Sequence, residues 1–520
     1  MPDRLSLFAA CVLLAAPSAC AQQIVLDGTF DDWASVPVGV TDPAGDATGA
    51  FDVTEARATL RGGTLFLRFD ISSERNLQSG SGSDGTLVIT IQLPSGETLR
   101  IDTRARTNTL NGGPIGWNFL NLQTAPTFAA TEFEARIDLS LFGVSEGDTV
   151  QVAFEGSDTV DAMAIAETSP LPAPTFASPN RAPGSEFRIA SLNTLQSGII
   201  DFRQTEEIGR LVDGVNAEIY AFQEEYDSNA QQIATFLGSV DPLEDGRAWN
   251  VHKNFDNVVA SPYPVTPIPG ESENPGSGTP TGAYAAAVVD LPFGPVIVLS
   301  IHPKCCGSIG SSEDDRRIRQ TGAMALTILK MRAGSWNAPY AHLNAYRDAP
   351  VVVIGDWNLV GSRQPLTLLE SPEGAALTDL LLTELDGIGT ATWIGGNTGP
   401  GSFQPGRLDL CAYDAQRLSQ ASGFLVDTRR LPQMLLDELG MQAGDSGASD
   451  HLLMVTDFRY EFPSRIDVNG DEQISVQDIN FVVSNLGLET DGAGFPPGDT
   501  NASGDVTVED ITIVVNSLGR

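Results

Sequence analysis

The sequence predicts a multidomain protein: an all-β sandwich first, a mixed α/β region around packed sheets next, and two small helical repeats last. Three observations predict it. Strand-length apolar runs divided by Gly, Asp and Ser turns fill the first part of the chain. Longer apolar runs, of the kind buried on both faces of a sheet, alternate with helical pattern in the middle. An acidic loop followed by an apolar helical run then occurs twice, 32 residues apart.

A chain of 520 residues exceeds one ordinary core, and 52 Gly with 32 Pro imply many turns and seams. Arg4 precedes an apolar run over 5–16 that is too short to span a membrane, and Ala19-Cys20-Ala21 fits a small-x-small cleavage site. Residues 1–21 are therefore expected to be a signal peptide and the mature protein to be secreted. No later run reads as a transmembrane segment. Pro170, Pro172, Pro174, Pro179 and Pro183 mark a linker over 169–185, and a second seam falls near Pro463. The expected modules are 22–168, 186–459 and 466–520.

In the first module, 64–70, 86–91 and 150–154 read as strands. In the second, 202–212 reads as a helix stopped by Gly214, and 218–222, 296–301 and 350–354 as strands. The Pro-, Gly- and Ser-rich stretch 262–282 reads as a long surface loop. In the third, 479–485 and 511–517 read as helical, each closing in Leu-Gly.

The formal net charge of -37 repels polyanions and counts against tight, processive binding of long duplex DNA. It does not count against metal-assisted cleavage. Without the signal, Cys305, Cys306 and Cys411 remain, too few for a disulfide-built scaffold. One bridge to Cys411 from Cys305 or Cys306 is left open.

The C-terminal loops space oxygen donors at positions 1, 3, 5, 7, 9 and 12, as a calcium loop of the EF-hand type requires. The first offers Asp467, Asn469, Asp471, the Gln473 carbonyl, Ser475 and Asp478. The second offers Asp499, Asn501, Ser503, the Asp505 carbonyl, Thr507 and Asp510, with Gly504 at the turn where the first has Glu472. Ca²⁺ is the expected ion.

Six segments of the middle module carry chemistry: Ser191-Leu192-Asn193, Phe222-Gln223-Glu224, Ser300-Ile301-His302, Gly355-Asp356-Trp357-Asn358, Arg407-Leu408-Asp409 and Ser449-Asp450-His451. Asn193 and Glu224 offer oxygens to a hard cation, Mg²⁺ or Mn²⁺. His451 suits a base that activates water if Asp409 orients it. Asp356, Asn358 and His302 have the types needed to steady a phosphoryl group and protonate a leaving oxygen. Trp357 reads as packing, and His252 and His342 as structural or surface residues. Arg316-Arg317-Ile318-Arg319 is the best local basic patch, so Arg317 is a candidate substrate contact, as is Lys304.

Three resemblances follow from these residues. The stretch Leu26-Asp27-Gly28-Thr29-Phe30-Asp31-Asp32-Trp33, with Asp42-Pro43-Ala44-Gly45-Asp46 and Asp52-Val53, resembles family 9 carbohydrate-binding-like (DOMON-like) sandwiches. That implies calcium in the Asp-rich loops and a carbohydrate partner, although Trp33 and Trp117 are the module's only tryptophans. The C-terminal repeats resemble a type I dockerin, which implies a cohesin partner met through Val476, Gln477, Val508 and Glu509. The six central segments, over 186–459, resemble the endonuclease/exonuclease/phosphatase (DNase I-like) superfamily. That resemblance implies a four-layer α/β sandwich with Mg²⁺ on Asn193 and Glu224, and Asp450 supporting the metal or the imidazole. It also implies a His451–Asp409 pair activating water, Asp356 and Asn358 orienting the nucleophile or phosphate, and His302 as phosphate ligand or general acid. Pro262 departs from the Arg usual in that family, and Lys304 is the replacement contact. The expected function is an extracellular nuclease. The alternatives are a sphingomyelinase- or inositol-phosphatase-like enzyme, or a non-catalytic binding protein.

Overall fold

The computed structural model describes residues 23–79, 85–169, 179–243, 246–274, 278–370, 380–386, 390–395, 398–461, 468, 474–489, 496–500 and 505–518. Residues 1–21, expected to be a signal peptide, and most of the Pro-rich linker lie outside them.

The N-terminal region is all β, but its eleven strands are hydrogen-bonded as one sheet, ten on a continuous path and Val40–Thr41 off it against Val53–Arg61. Two separate sheets were expected. The join is made by the long strand Val160–Ser169, which pairs antiparallel with Thr149–Gly156 along most of its length. Its last residues switch to Val53–Arg61, with Glu167 opposite Leu60. The sheet curls around one core in which the Phe69 ring lies 5.6 Å from Phe133 and 5.4 Å from Phe154.

The central region holds two six-stranded sheets. One orders Asn250–Asn254, Asn257–Ser261, Ile219–Gln223, Phe187–Asn193, Leu453–Tyr460 and Leu418–Val426. The other orders Val265–Ile268, Tyr284–Leu291, Gly294–Ile301, Val351–Asp356, Asp409–Asp414 and Leu380–Leu382. Side chains alternate across each strand. Ile189, Ile219, Ala221 and Met454 of one sheet meet Val298, Val352, Ile354 and Cys411 of the other. The opposite face of the first sheet packs Leu192, Tyr220 and Phe222 on Ile208, Leu211 and Leu237 of the helices Thr205–Val215 and Ala230–Val240. The second sheet packs Ile297, Leu299 and Val353 on Met324 and Ile328 of the helix Ser312–Arg332. The result is helix, sheet, sheet, helix: four layers.

Two expectations change. The first helix runs through Gly214 to Val215 rather than stopping before it. A Cβ at 214 would lie 2.6 Å from Met441 Cε and 2.7 Å from the Leu439 carbonyl, so this glycine serves close packing, not termination. The stretch 262–282 is not all loop, because Val265–Ile268 forms an edge strand. Pro267 is tolerated at a sheet edge.

At the C-terminal end, helices Val476–Ser484 and Val508–Ser517 pack Val482 on Val514 and Val506. No helix among the described residues is long and apolar enough to cross a membrane.

Candidate active site

Strand direction gathers the six segments. Phe187–Asn193 and Ile219–Gln223 run parallel, so Asn193 and Glu224 emerge at the same end. Leu453–Tyr460 runs antiparallel to them and begins there, just after His451. In the other sheet Gly294–Ile301 and Val351–Asp356 run parallel, delivering His302 and Asp356. The antiparallel strand Asp409–Asp414 starts opposite Asp356, with Asp409 as its register partner. Six strand ends therefore converge where the two sheets meet.

Gly355 lets the sheets approach. Its φ of +142° disfavours any side chain, and a Cβ would stand 2.4 Å from the Ile301 carbonyl and 2.9 Å from Gln223 Nε2 of the facing sheet. Gln223 Nε2 reaches across to donate to Ser300 Oγ at 3.0 Å. Glu224 and Asn358 also sit in the left-handed region, at φ 62° and 48°. Such strain in non-glycine residues persists where surrounding contacts over-determine it.

Two imidazoles flank one carboxylate. His451 Nδ1 lies 2.7 Å from Asp409 Oδ2, and its Nε2 lies 3.7 Å from Asp356 Oδ2. His302 Nδ1 lies 2.5 Å from Asp256 Oδ2, and its Nε2 lies 3.6 Å from the same Asp356 oxygen and 3.9 Å from Glu224 Oε1. Asn193 Nδ2 donates to Glu224 Oε1 at 3.1 Å and to Asp356 Oδ2 at 3.2 Å. Asn358 donates its backbone N–H to Asp356 Oδ1 at 2.9 Å and its Nδ2 to Asp356 Oδ2 at 3.2 Å and to the Pro303 carbonyl at 3.2 Å. Ser449 Oγ donates to the Asn193 carbonyl at 2.7 Å, tying two neighbouring strand ends of the first sheet together. Asp450 accepts from Trp393 Nε1 at 3.2 Å.

The electrostatics follow from burial and crowding of acids. Burial alone would push His451 down, but the charges of Asp409 and Asp356 and the hydrogen bond to Asp409 overcome it and raise the pKa to about 10. His302 is raised to about 9 against the same penalty, by the Asp256 hydrogen bond and then the charges of Asp356, Asp256 and Glu224. Asp356 is raised, first by burial and then by Asp409, with both imidazoles opposing.

No family model and no curated protein matches the chain. Solved structures do show similarity over about half of it. A TDP2 from Caenorhabditis elegans is 15% identical over 52% of this chain and 74% of its own, with a TM-score of 0.31. An AP endonuclease from Archaeoglobus fulgidus is 12% identical over 53% and 100%, with a TM-score of 0.33. ANGEL2, a 2′,3′-cyclic phosphatase, is 12% identical over 56% and 100%, with a TM-score of 0.34. Similarity at this level carries no conclusion about chemistry, which rests on the site itself.

Several placements went beyond the sequence reading or against it. Asp256, the partner of His302, was missed: it sits in a turn before Asn257–Ser261, where an Asp is commonplace. Thr392 was also missed, and its Oγ1 accepts from the Asp409 and Leu408 amides at 2.8 and 3.0 Å. Arg317 is a correction. Its side chain is buried and donates to the Lys304 and Cys306 carbonyls, so it holds a loop and does not face the cleft. Arg316 and Lys304 line the 370 Å³ cleft beside His302. Cys411 is buried and free, so no bridge to it is formed. Trp357 is buried and donates to the Leu410 carbonyl. His252 is mostly buried, which pushes it down to about 4, and His342 is exposed.

Outside the central region, carboxylate oxygens of Asp42, Asp46 and Asp158 lie within 4.8 Å of one another. Neither N-terminal tryptophan is an exposed sugar platform: Trp33 is buried and donates to Glu134 Oε2 at 3.0 Å, and Trp117 is half-buried. In the C-terminal repeats, Asp467, Asn469, Asp471, Gln473, Asn501 and Ser503 lie outside the described residues. Asp478 and Asp510 are buried and cap the helices, accepting from the Ser475 and Thr507 amides at 2.7 Å each. Asp499 is buried and Asp505 exposed.

Proposed function

We propose that the central region hydrolyses phosphodiester bonds with the help of a divalent cation. The observation that carries this is the pair of carboxylate-backed imidazoles, His451–Asp409 and His302–Asp256, whose free nitrogens both face Asp356 Oδ2. One imidazole takes a proton from water and the other gives one to the leaving oxygen. In the cation-free protein both imidazoles hold a proton at neutral pH, His302 being raised to about 9 and His451 to about 10. His302 can therefore act as the acid as it stands. His451 would act as the base, with Asp409 stabilising the imidazolium that forms, only once a bound cation lowers its proton affinity. Asn358 fixes Asp356 through its backbone N–H and its side-chain amide.

The residues fit a hard cation. The Glu224 carboxylate and the Asn193 amide touch, and an amide turned to present Oδ1 would give two oxygen ligands side by side. Such a cation supplies charge neutralisation at the phosphoryl oxygens and lowers the proton affinity of the neighbouring imidazoles.

Nucleic acid is the proposed substrate class. Tyr226 and Phe255 form an edge-on ring pair, 5.6 Å between centroids, on the cleft that Lys304 and Arg316 also line. Exposed rings beside cationic side chains suit an unpaired base and its phosphate. The net charge of -37 restricts this to short or single-stranded segments. We further propose that the protein is exported and that its C-terminal repeats bind Ca²⁺.

The test is a substrate panel of single-stranded DNA, RNA, sphingomyelin, an inositol phosphate and a generic aryl phosphodiester, with Mg²⁺ and with chelator. Wild type should cleave nucleic acid only with the cation. His451→Ala should lose roughly 10²–10⁴-fold in turnover while keeping its circular dichroism spectrum. Absence of turnover on every substrate would leave a binding protein instead.

A further inference from the structure

The loop after His302 carries two adjacent cysteines that the proposed hydrolysis does not use. Both are free, Cys305 half-buried and Cys306 exposed. Cys306 Sγ points at Cys305 Sγ across 2.9 Å. The loop is built to hold that arrangement. The buried Arg317 guanidinium donates through Nη1 to the Lys304 carbonyl at 2.5 Å and to the Cys306 carbonyl at 3.2 Å, and through Nη2 to the same Cys306 oxygen. Ser79 of the N-terminal region donates to the Gly307 carbonyl at 3.3 Å. Cys306 itself adopts φ 69°, a left-handed conformation that an L-residue with a side chain avoids unless held there. Lys304 Nζ stands 3.6 Å from Cys305 Sγ.

We propose that Cys305 and Cys306 form a thiol–disulfide exchange site at the cleft, which closes to a vicinal disulfide by reaction with a small exchangeable disulfide such as oxidised glutathione. The Cys305 thiolate attacks one sulfur of the small disulfide and expels the first thiolate, leaving a mixed disulfide. Cys306 then gives up its proton, attacks Cys305 Sγ and expels the second. Two protein thiols lose two electrons, and one small disulfide becomes two thiols. The order follows from the geometry: Lys304 Nζ sets a positive charge 3.6 Å from Cys305 Sγ, and Cys306 Sγ stands 2.9 Å from the same sulfur, placed to attack it.

The bond is a reversible one. Adjacent Cα atoms across a trans peptide lie about 3.8 Å apart, whereas bridged cysteines usually span about 4.4–6.8 Å. A closed ring here is strained, and strained, accessible disulfides are the ones that reopen readily.

The test uses the full chain and reads mass, so it stands apart from the proposed hydrolysis. After incubation with oxidised glutathione and trapping of free thiols, the peptide containing both cysteines should have lost two hydrogens and carry no adduct. Reduced glutathione should reopen it. In Cys306→Ser the reaction should stop at a stable glutathione adduct on Cys305. Cys411, buried in the sheet interface, should be alkylated only after denaturation. A lasting adduct on the wild-type pair, two thiols still alkylatable after treatment, or a bridge between two chains would each overturn the proposal.

Discussion

His451 and His302 are two of only four histidines, and each is backed by a carboxylate at its Nδ1. That arrangement has a consequence for stability as well as chemistry. Both imidazoles bind protons more tightly in the folded protein, at about 10 and about 9, than the 6.5 of a free imidazole. A group raised on folding contributes in full below its unfolded pKa, and the contribution is lost as pH rises through the folded one. In chelator, the melting temperature should therefore fall between about pH 6.5 and pH 10. Asp409→Asn should flatten that slope. An unchanged slope in this variant would show that Asp409 does not charge His451. The two histidine-bearing segments were legible in the sequence because imidazoles are rare in it and each follows or precedes an apolar run. Asp256 was not legible, since nothing local separates it from an ordinary turn aspartate among 67 acidic residues.

Elements explain which readings failed. The Arg317 patch was read from charge alone, but Asp314, Arg317, Thr321, Met324, Ile328 and Met331 are all buried along one helix face. Spacing of three and four residues puts Arg317 on that inward stripe. Strand ends were easier, because a β-strand delivers its last residue to a known edge once its apolar run is recognised. The C-terminal helices show a different use of position. Each repeat's position-12 aspartate also satisfies the amide of its position-9 residue, completing a capping box. Asp478→Ala and Asp510→Ala therefore remove a cap and, in the proposed loops, a ligand together. Calorimetric titration should find one calcium site fewer in each variant than in the wild type. An unchanged number of sites in both variants would refute the assignment. Without calcium each variant should still lose about 1 kcal/mol of helix stability.

At the scale of the whole molecule, the curled N-terminal sheet grips the central region near the site. Asn76 is buried, donates to the Val360 and Gly361 carbonyls at 2.8 and 3.0 Å, and accepts from the Ile309 amide at 2.8 Å. Thr127 Oγ1 donates to the Leu359 carbonyl at 2.8 Å, and the Ala129 amide to the Gly361 carbonyl at 2.7 Å. These contacts hold the segment immediately after Asn358. Asn76→Ala leaves the Val360 carbonyl and the Ile309 amide without this partner, a cost of about 1–3 kcal/mol. Urea unfolding should show that loss, and Asn76→Asp should lose at least as much, because a buried carboxylate oxygen would face the Val360 and Gly361 carbonyls where the amide donated. Equal midpoints for all three proteins would mean that the grip is incidental. None of this was legible in the sequence. A seam rich in proline suggests independent modules, and contacts between residues almost 300 positions apart leave no local pattern.

Gly355 sets one further quantity. It stands beside Asp356, where the two sheets come together, and the Gln223 amide of the facing sheet passes over its bare α-carbon. The thickness of the sandwich at that end is thus limited by a hydrogen atom instead of a methyl group. His451, which comes from that facing sheet, reaches the Asp356 oxygen at 3.7 Å across this thin end. The calliper on which the two halves of the site are gauged is the smallest side chain in the chain.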